Sequence, residues 1–183
     1  MPQNIDITEV LRTLQQFQAG YTARDLSQLD AFMDLFVPGE DAELIGIGAS
    51  VRGANEWFQG VEQIREIIES DWRYWGDVHI DVPGAKVTVL GDAAWLSTTG
   101  DLVQTQTFDE ALVFYVQQMR DLLDDEVMDL DGRLVEATHF GVRRLRERHK
   151  GLGHAWPFVF TAILIKSEGV WRFHTIHWSM PVD

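Results

Sequence analysis

The sequence predicts an α+β fold in which three N-terminal helices pack on a mostly antiparallel sheet. Apolar residues recur at helical spacing through the N-terminal part of the chain, which is typical of amphipathic helices. Short runs rich in β-branched residues, separated by turn residues, follow in the middle of the chain. Two longer runs rich in aromatic and β-branched residues lie near its end. Helices followed by strands in this order indicate the α+β class.

Bulk properties bound the class of protein. The length of 183 residues fits one domain with its own core. The formal net charge of -14 argues against a binder of nucleic-acid phosphates or anionic membranes, which needs a basic surface. The chain has no cysteine, which excludes disulfides and thiolate catalysis. Because the N-terminal segment lacks a signal-peptide pattern and no apolar run approaches about 18 residues, we expect a cytoplasmic protein without membrane contact.

Three helices are predicted in the N-terminal part. Apolar side chains recur at helical spacing over residues 8–24 and again over residues 26–36. After a turn-rich stretch, a third apolar stripe runs over residues 61–75, and Gly76 is expected to end that helix.

Six strands are predicted from runs of apolar and β-branched residues between turn signals. They are Ala42–Gly48, Val78–Val82, Lys86–Leu90, Ala93–Val103, His154–Lys166 and Val170–Met180.

The last two runs are predicted to form a long antiparallel hairpin, because Glu168-Gly169 is a plausible turn between them. Strict alternation divides the last strand into two faces. One face holds Trp171, Phe173, Thr175, His177 and Ser179, and the other holds Arg172, His174, Ile176, Trp178 and Met180. Both faces carry large apolar groups, so we expect helices to cover one and a second sheet or subunit to cover the other. The sequence therefore predicts a homodimer.

Residues 104–153 separate the middle strands from the final hairpin and are predicted to form an inserted helical hairpin. An apolar stripe indicates one helix from Phe108 to Leu123, and a second is expected from Leu134 to about His149. An acidic loop joins them and the second helix is basic, so opposite charges should partly face each other, either as solvated faces or as a docking patch. If its apolar stripe covers the open end of the sheet, the insertion is a lid.

No motif for a metal or a cofactor is found. The acidic loop of the insertion has Val127 and Thr138 where a calcium-binding EF-hand requires carboxylates. His174 and His177 are three residues apart, which places them on opposite faces of a regular strand. Gly46-Ile-Gly48 lacks the third glycine of a dinucleotide-binding loop. We therefore expect neither a metal site nor a cofactor.

Several segments resemble the SnoaL-like branch of nuclear transport factor 2-like (NTF2-like) domains, in the order expected of that family. These segments are Gln18–Asp25, Leu44–Gly48 with Gly53 and Gly60, Asp71–Trp72 with Trp75–Asp77, and Trp171–Phe173 with His177–Ser179. The resemblance covers residues 8–103 and 154–181. It implies a cone in which three helices pack on a curved sheet, with a pocket between the sheet and the first and third helices.

The position of that pocket implies a set of ligand-binding residues, namely Tyr21, Trp75, His79, Trp95 and His177. For Trp75 and Trp95, packing in the core is an equally good explanation. For His177 a structural hydrogen bond is the competing explanation. His79 is of interest as a proton shuttle, because histidine titrates near neutral pH.

The resemblance also implies candidate catalytic residues. Tyr21 and His79 fall where the scytalone dehydratase relatives have a catalytic tyrosine and histidine. The neighbouring acid is replaced by Thr22, and the second histidine position holds Gln104. An isoleucine occupies the strand position where ketosteroid isomerase-like members have a base. Asp101 remains as a candidate base for a SnoaL-type cyclisation, although a strand-end aspartate is more often simply solvated.

These observations favour a binding module for a small hydrophobic or aromatic molecule. The alternative is a cofactor-independent acid–base enzyme of the polyketide cyclase, isomerase or dehydratase type, using His79, Tyr21 or Asp101. Oligomerisation alone, as in the association domains of calcium/calmodulin-dependent kinases, is a third and weaker hypothesis. Fold alone does not choose among them, because one scaffold hosts unrelated activities.

Overall fold

The structure, a computed structural model, describes residues 2–49, 52, 56–126 and 128–180. The expectations for Gly53, Val127 and part of the turn-rich stretch before the third helix lie outside these residues. The side chains of Phe108, Arg143, Arg146 and Arg148 also lie outside the described part, and with them most of the predicted charge pairing of the insertion.

The N-terminal part holds three α-helices and two short 3-10 turns. The helices are α1 Pro2–Ala23, α2 Leu29–Met33 and α3 Gly60–Tyr74, and the turns are Leu26–Gln28 and Gly39–Asp41. α1 begins earlier than its apolar stripe indicates. α3 ends at Tyr74 and not at Gly76, because Trp75 already adopts an extended conformation, with ψ of 165°.

The strands form one mixed, mostly antiparallel sheet. They are β1 Glu43–Ile45, β2 Trp57–Gln59, β3 Asp77–Ile80, β4 Lys86–Leu90, β5 Ala93–Val103, β6 Ala155–Ser167 and β7 Val170–Ser179. The strand order is β2-β1-β7-β6-β5-β3, and β4 also pairs with β5. β1 runs parallel to β7, whereas the β1–β2, β4–β5 and β6–β7 pairs are antiparallel. The predicted α+β class is confirmed.

The final hairpin contains a β-bulge that the sequence does not reveal. Ile163 pairs with Thr175, but Leu164 pairs with Phe173, so His174 is an extra residue on β7. The prediction of strict alternation along β7 is therefore wrong, since a bulge changes which side chains share a face. Four large side chains are buried as a result: Trp171, Phe173, Ile176 and Trp178.

Aromatic side chains fill the space between the helices and the sheet. The ring of Phe17 on α1 lies 4.9 Å from that of Tyr21, 5.6 Å from that of Phe160 and 5.3 Å from that of Phe173. All four side chains are almost completely buried. Large aromatic groups contribute strongly to core energetics, both by area and by tilted ring contacts. We call the sheet face that packs on this core the inner face, and the opposite face the outer face.

Two anchors fasten α1 to the sheet. The side-chain amide of Gln18 donates to the Val78 carbonyl oxygen (2.9 Å) and accepts from the Ile80 backbone N–H (2.6 Å), so it completes backbone hydrogen bonds of β3. Near the start of α1, Lys166 Nζ donates to Asp6 Oδ1 at 2.7 Å.

The insertion forms a second compact unit, residues 103–155. It contains α4 Phe108–Asp124 and α5 Leu130–His149. α4 starts with a capping box, in which Thr107 accepts from the Glu110 backbone N–H and the Glu110 carboxylate accepts from the Thr107 N–H. The predicted helical hairpin is confirmed, although α5 begins at Leu130 and not at Leu134. The lid role of the insertion stays a prediction.

Candidate functional site

The structure divides the predicted site residues between the two faces of the sheet. Tyr21 and Trp75 pack with the aromatic core on the inner side. Four predicted site residues are instead exposed at strand positions directly next to buried ones, which places them on the outer face: His79, Trp95, Asp101 and His177. The predicted set therefore does not line one cavity.

The hydroxyl of Tyr21 reaches a carboxylate across the helix pair α1–α3. Tyr21 Oη donates to Asp71 Oδ2 at 3.0 Å. The Tyr21 side chain is only 1% exposed, whereas that of Asp71 is half-buried. The structure thus joins a buried phenol to a carboxylate that lies nearer the surface. We refer to these two residues as the Tyr21–Asp71 pair.

Asp71 is not among the candidate residues that the sequence singles out, although a signal for it exists. It lies on the apolar stripe of α3 with Ile64, Ile68 and Trp75, at intervals of four, three and four residues. Positions with that spacing share one helix face. A carboxylate on an apolar helix face needs a hydrogen-bond partner, and a buried tyrosine on a neighbouring helix is one such partner.

Burial and charge both keep the Tyr21 phenol protonated. Burial raises the pKa of Tyr21 well above its usual range, and the nearby Asp71 charge and hydrogen bond raise this pKa further. At neutral pH the phenol is therefore a hydrogen-bond donor. An ionised carboxylate has room for about four hydrogen bonds, so the pair can present Asp71 as an oriented acceptor or base.

Arg24 holds the backbone that follows α3. It adopts a left-handed conformation with φ of 48°. Its guanidinium donates to the carbonyl oxygens of Tyr21 (3.1 Å), Trp75 (2.9 Å) and Gly76, and lies 3.4 Å from Asp77 Oδ1. These bonds tie the end of α1 to the residues around Trp75. They fix the position of the Trp75 backbone beside the Tyr21–Asp71 pair.

Trp178 supplies the aromatic wall of this site. Its ring centroid lies 5.6 Å from that of Trp75, 4.9 Å from that of Phe158 and 6.0 Å from that of Tyr21. Trp75 is half-buried and Trp178 is buried. The inner site is thus a polar pair next to an aromatic surface that is partly open at Trp75.

The outer face carries two rows of side chains across four strands. The strands pair in the order β2, β1, β7 and β6, so residues at the same level form a row across all four strands. A second row lies two residues away from the first on each strand. The first row is Trp57, Ile45, His177 and Thr161, and the second is Gln59, Glu43, Thr175 and Ile163. Arg52 lies 5.3 Å above the Trp57 ring and 3.4 Å from Glu43 Oε1. His177 therefore belongs to a mixed polar and aromatic surface.

The described ranges contain neither a metal-ligand cluster nor a membrane-crossing helix. Within them, no group of three or more histidine, aspartate or glutamate residues is placed to hold a metal ion. Among the same residues, no helix has both the length and the apolar character needed to cross a bilayer.

Several solved structures share this fold at low sequence identity. A candidate dehydratase of the NTF2-like family from Streptomyces avermitilis is 11% identical, with 100% of both chains covered and a TM-score of 0.61. A protein with a cystatin-like fold from Caulobacter vibrioides is 13% identical, with 96% of this chain and 89% of that chain covered and a TM-score of 0.59. An NTF2-like superfamily protein from Salmonella enterica is 13% identical, with 96% of this chain and 91% of that chain covered and a TM-score of 0.58. The fold is therefore that of the NTF2-like class.

The family model of the SnoaL-like domain matches residues 10–115, more than half of the chain. The chain belongs to the SnoaL-like family, which confirms the resemblance found in its sequence. No protein with a curated description matches it.

Proposed function

We propose that this protein binds a small hydrophobic or aromatic molecule at the inner site, where the Tyr21–Asp71 pair recognises a hydrogen-bond donor on that molecule. The observation that carries the proposal is the 3.0 Å hydrogen bond between Tyr21 Oη and Asp71 Oδ2. It involves a half-buried carboxylate four residues before Trp75, whose ring lies 5.6 Å from that of Trp178. A pocket of apolar walls with a few convergent polar groups is the usual form of a small-molecule site.

The chemistry of the pair defines the ligand class. Tyr21 is a donor that is already bonded, and the Asp71 carboxylate is an acceptor. A ligand hydroxyl or protonated amine matches this carboxylate, whereas a ligand carboxylate or phosphate would be repelled. Trp75 offers an aromatic surface for the apolar part of the ligand. We therefore expect an aromatic alcohol or amine to bind better than the same ring without a donor.

The alternative function is acid–base catalysis at the same site. Asp71 would accept a proton from the substrate, and the Tyr21 hydroxyl would hold the carboxylate in position. The similarity in fold to a candidate dehydratase keeps this hypothesis open. His79 and Asp101 lie on the outer face, so they would serve a reaction there and not at the inner site.

We also propose a homodimer that forms through the outer face. Trp95, Val159 and Ile163 leave 45% to 48% of their surface exposed there. Large exposed apolar groups on one sheet face mark an interaction surface. An Ile163→Lys variant should be monomeric in sedimentation equilibrium at micromolar concentration, and a wild-type monomer would remove this part of the proposal.

The ligand proposal can be tested with three matched probes. Tryptophan fluorescence would be titrated with 2-naphthol, which has a donor, and with 2-methoxynaphthalene and naphthalene, which have none. We expect 2-naphthol to bind about tenfold more tightly than the other two probes. This ratio corresponds to a binding free energy of about 1.4 kcal/mol, which is the contribution of one hydrogen bond. Asp71→Asn should remove that difference. Trp95→Phe on the outer face is the control and should leave the three affinities unchanged.

Two results would contradict the ligand proposal. One is the absence of any fluorescence change with aromatic alcohols and amines at millimolar concentration. The other is an equal affinity of Asp71→Asn and wild type for 2-naphthol, which would exclude the carboxylate from recognition.

A further inference from the structure

One face of each helix supplies the described side-chain contacts that join α4 and α5 in the insertion hairpin. The Cβ position of Gly141 lies 3.0 Å from the sulfur of Met119, and the guanidinium of Arg144 stacks 5.6 Å from the Tyr115 ring. Tyr115 and Phe140 also pack edge to face, with centroids 6.1 Å apart. These contacts define the α4–α5 interface and show that the two helices are antiparallel.

Each helix keeps a second apolar stripe outside this interface. The stripes follow helical spacing, at intervals of four and seven residues on α4 and of eight and three on α5. Each of the six side chains leaves 37% to 54% of its surface exposed. They are Leu112, Val116 and Leu123 on α4, and Leu134, Val142 and Leu145 on α5. We call this set the insertion patch.

Helix geometry places both stripes on the same side of the hairpin. Successive residues of a helix are rotated by about 100° around its axis. On α4, the apolar stripe is therefore rotated by roughly 60° from the side chains that contact α5. On α5, the stripe is rotated by roughly 100° from the side chains that contact α4. Both offsets have the same rotational sense along the chain. Because the helices are antiparallel, equal senses bring the two stripes to one side. The six side chains of the insertion patch therefore lie on one side of the hairpin.

We propose that the insertion patch pairs with the same patch of a second copy of this chain, forming a four-helix arrangement. A stable interface buries about 800 Å² on each partner, of which somewhat more than half is apolar. Six half-exposed aliphatic side chains supply an apolar area on the order of 400 Å², within the range of about 300–600 Å² for the largest patches on monomers, which are often functional. The patch thus has the size that such a pairing requires.

The charges of the helices select one arrangement of the two copies. α4 contains four carboxylates and one arginine, whereas α5 contains five arginines and three carboxylates. A two-fold axis parallel to the helices sets α4 of one copy against α5 of the other, twice, so opposite net charges meet. The other two-fold arrangement sets α4 against α4 and brings like charges together. We therefore expect α4 to face α5 of the second copy.

The absence of cysteine from the chain makes a cross-linking experiment straightforward. Val116→Cys and Val142→Cys proteins would be prepared separately, mixed, and treated with a bismaleimide that spans about 10 Å, which is the usual distance between packed helices. The expected result is a heterodimeric product in the mixture, at least tenfold more abundant than with either protein alone. Gln117→Cys mixed with Val142→Cys is the control, since Gln117 lies outside the patch.

Each other outcome of this experiment contradicts the proposal. Cross-linking of Val116→Cys with itself would mean that α4 faces α4. Slow thiol labelling that does not depend on protein concentration would mean that the patch is covered by its own chain. Rapid labelling without any cross-linked product would mean that the patch is not an interface between copies. The test does not depend on the outer-face dimer, because Ile163→Lys can be introduced into both proteins to remove it.

Discussion

Tyr21 of α1 and Asp71 of α3 are fifty residues apart in the sequence, and their side chains share a 3.0 Å hydrogen bond in the fold. The bond gives the two helices a polar contact inside an otherwise aromatic layer. Asp71 is half-buried, and its backbone carbonyl accepts from the N–H of the half-buried Trp75 at 2.9 Å. The same bond therefore contributes to stability and to the proposed recognition of a ligand.

Removing the Tyr21 hydroxyl should destabilise the protein measurably. Tyr21→Phe removes the hydroxyl that donates to the Asp71 carboxylate, and we expect the free energy of unfolding to fall by about 1–3 kcal/mol. Chemical denaturation of Tyr21→Phe, Asp71→Leu and the double variant gives the coupling between the two side chains. We expect a coupling of at least about 0.5 kcal/mol, as for residues in direct contact. Additive losses would show that the hydrogen bond contributes nothing.

If the protein catalyses an acid–base reaction at the inner site, two variants separate the candidate bases. Asp71→Asn should lower kcat by roughly 10²–10⁴, because it removes the proton acceptor and keeps the shape of the side chain. His79→Gln should leave kcat unchanged, since His79 is exposed on the outer face. The reverse pattern in a turnover assay would move the chemistry to the outer face.

Gly100 is expected to tolerate no side chain. A Cβ atom at this position of β5 would overlap the Phe158 ring and the His79 carbonyl oxygen. Gly100→Ala should therefore cost about 1–3 kcal/mol of unfolding free energy, the usual range for overpacking. Gly91→Ala is the control: nothing lies within 4 Å of its Cβ position, and only its φ of 60° opposes alanine. In thermal unfolding, the Tm of Gly100→Ala should be lower than that of Gly91→Ala. The opposite order would show that the contact at Gly100 on β5 relaxes easily.

Deletion of His174 should be far more harmful than its truncation. Without the extra residue, one part of β7 must turn its large side chains to the outer face. Each buried aromatic lost from the core costs about 3–5 kcal/mol, and the loss of two exhausts the stability of most domains. His174→Ala keeps the bulge and should change stability by less than about 1 kcal/mol. Circular dichroism and denaturation of both variants measure this contrast, and a folded deletion variant would show that the register can slip without loss.

The Lys166–Asp6 anchor should make stability depend on pH at both extremes. The hydrogen bond from Lys166 lowers the pKa of Asp6, and the bond to Asp6 raises the pKa of Lys166. The Asp6 contribution is present above the ordinary aspartate pKa of about 3.9 and is lost as the pH falls further. The Lys166 contribution is present below the ordinary lysine pKa of about 10.4 and is lost as the pH rises further.

Lys166→Met is the variant that tests this dependence. It removes the anchor at every pH, so its unfolding free energy should differ most from wild type between these limits and should approach wild type outside them. A difference that stays constant from acid to alkaline pH would show that Lys166 stabilises the fold only through its packing on the Trp171 ring, 5.6 Å away.

The regular elements were predictable because their signals are local. β4 and β5 begin and end at the residues that the sequence indicates, since Pro83-Gly84 precedes β4 and Gly91-Asp92 separates the two strands. The bulge at His174 was not predictable, because it depends on how β7 pairs with β6 and not on the residues of β7 alone. An alternating pattern also does not tell which set of side chains faces the helices.

The candidate site shows the same limit. The outward position of Trp95 contradicts the usual expectation for an aromatic residue, and the small Ala94 is buried in its place. The Tyr21–Asp71 contact links two helices that no local pattern connects. Only the stripe of α3 gave a hint, since it placed a carboxylate among apolar residues. The outward position of Trp95 and the Tyr21–Asp71 contact both depend on pairing between segments that are distant in the sequence. A local sequence pattern does not reveal such pairing.

The insertion leaves the sheet and returns to it at adjacent positions. Gln104 donates its backbone N–H to the His154 carbonyl oxygen (2.9 Å) and accepts from the Gly153 N–H (2.9 Å). The segment between these residues is therefore closed at its base by two backbone hydrogen bonds. Its removal would leave only the span of a tight turn to bridge. This junction is therefore where we expect relatives of this protein to differ most in length.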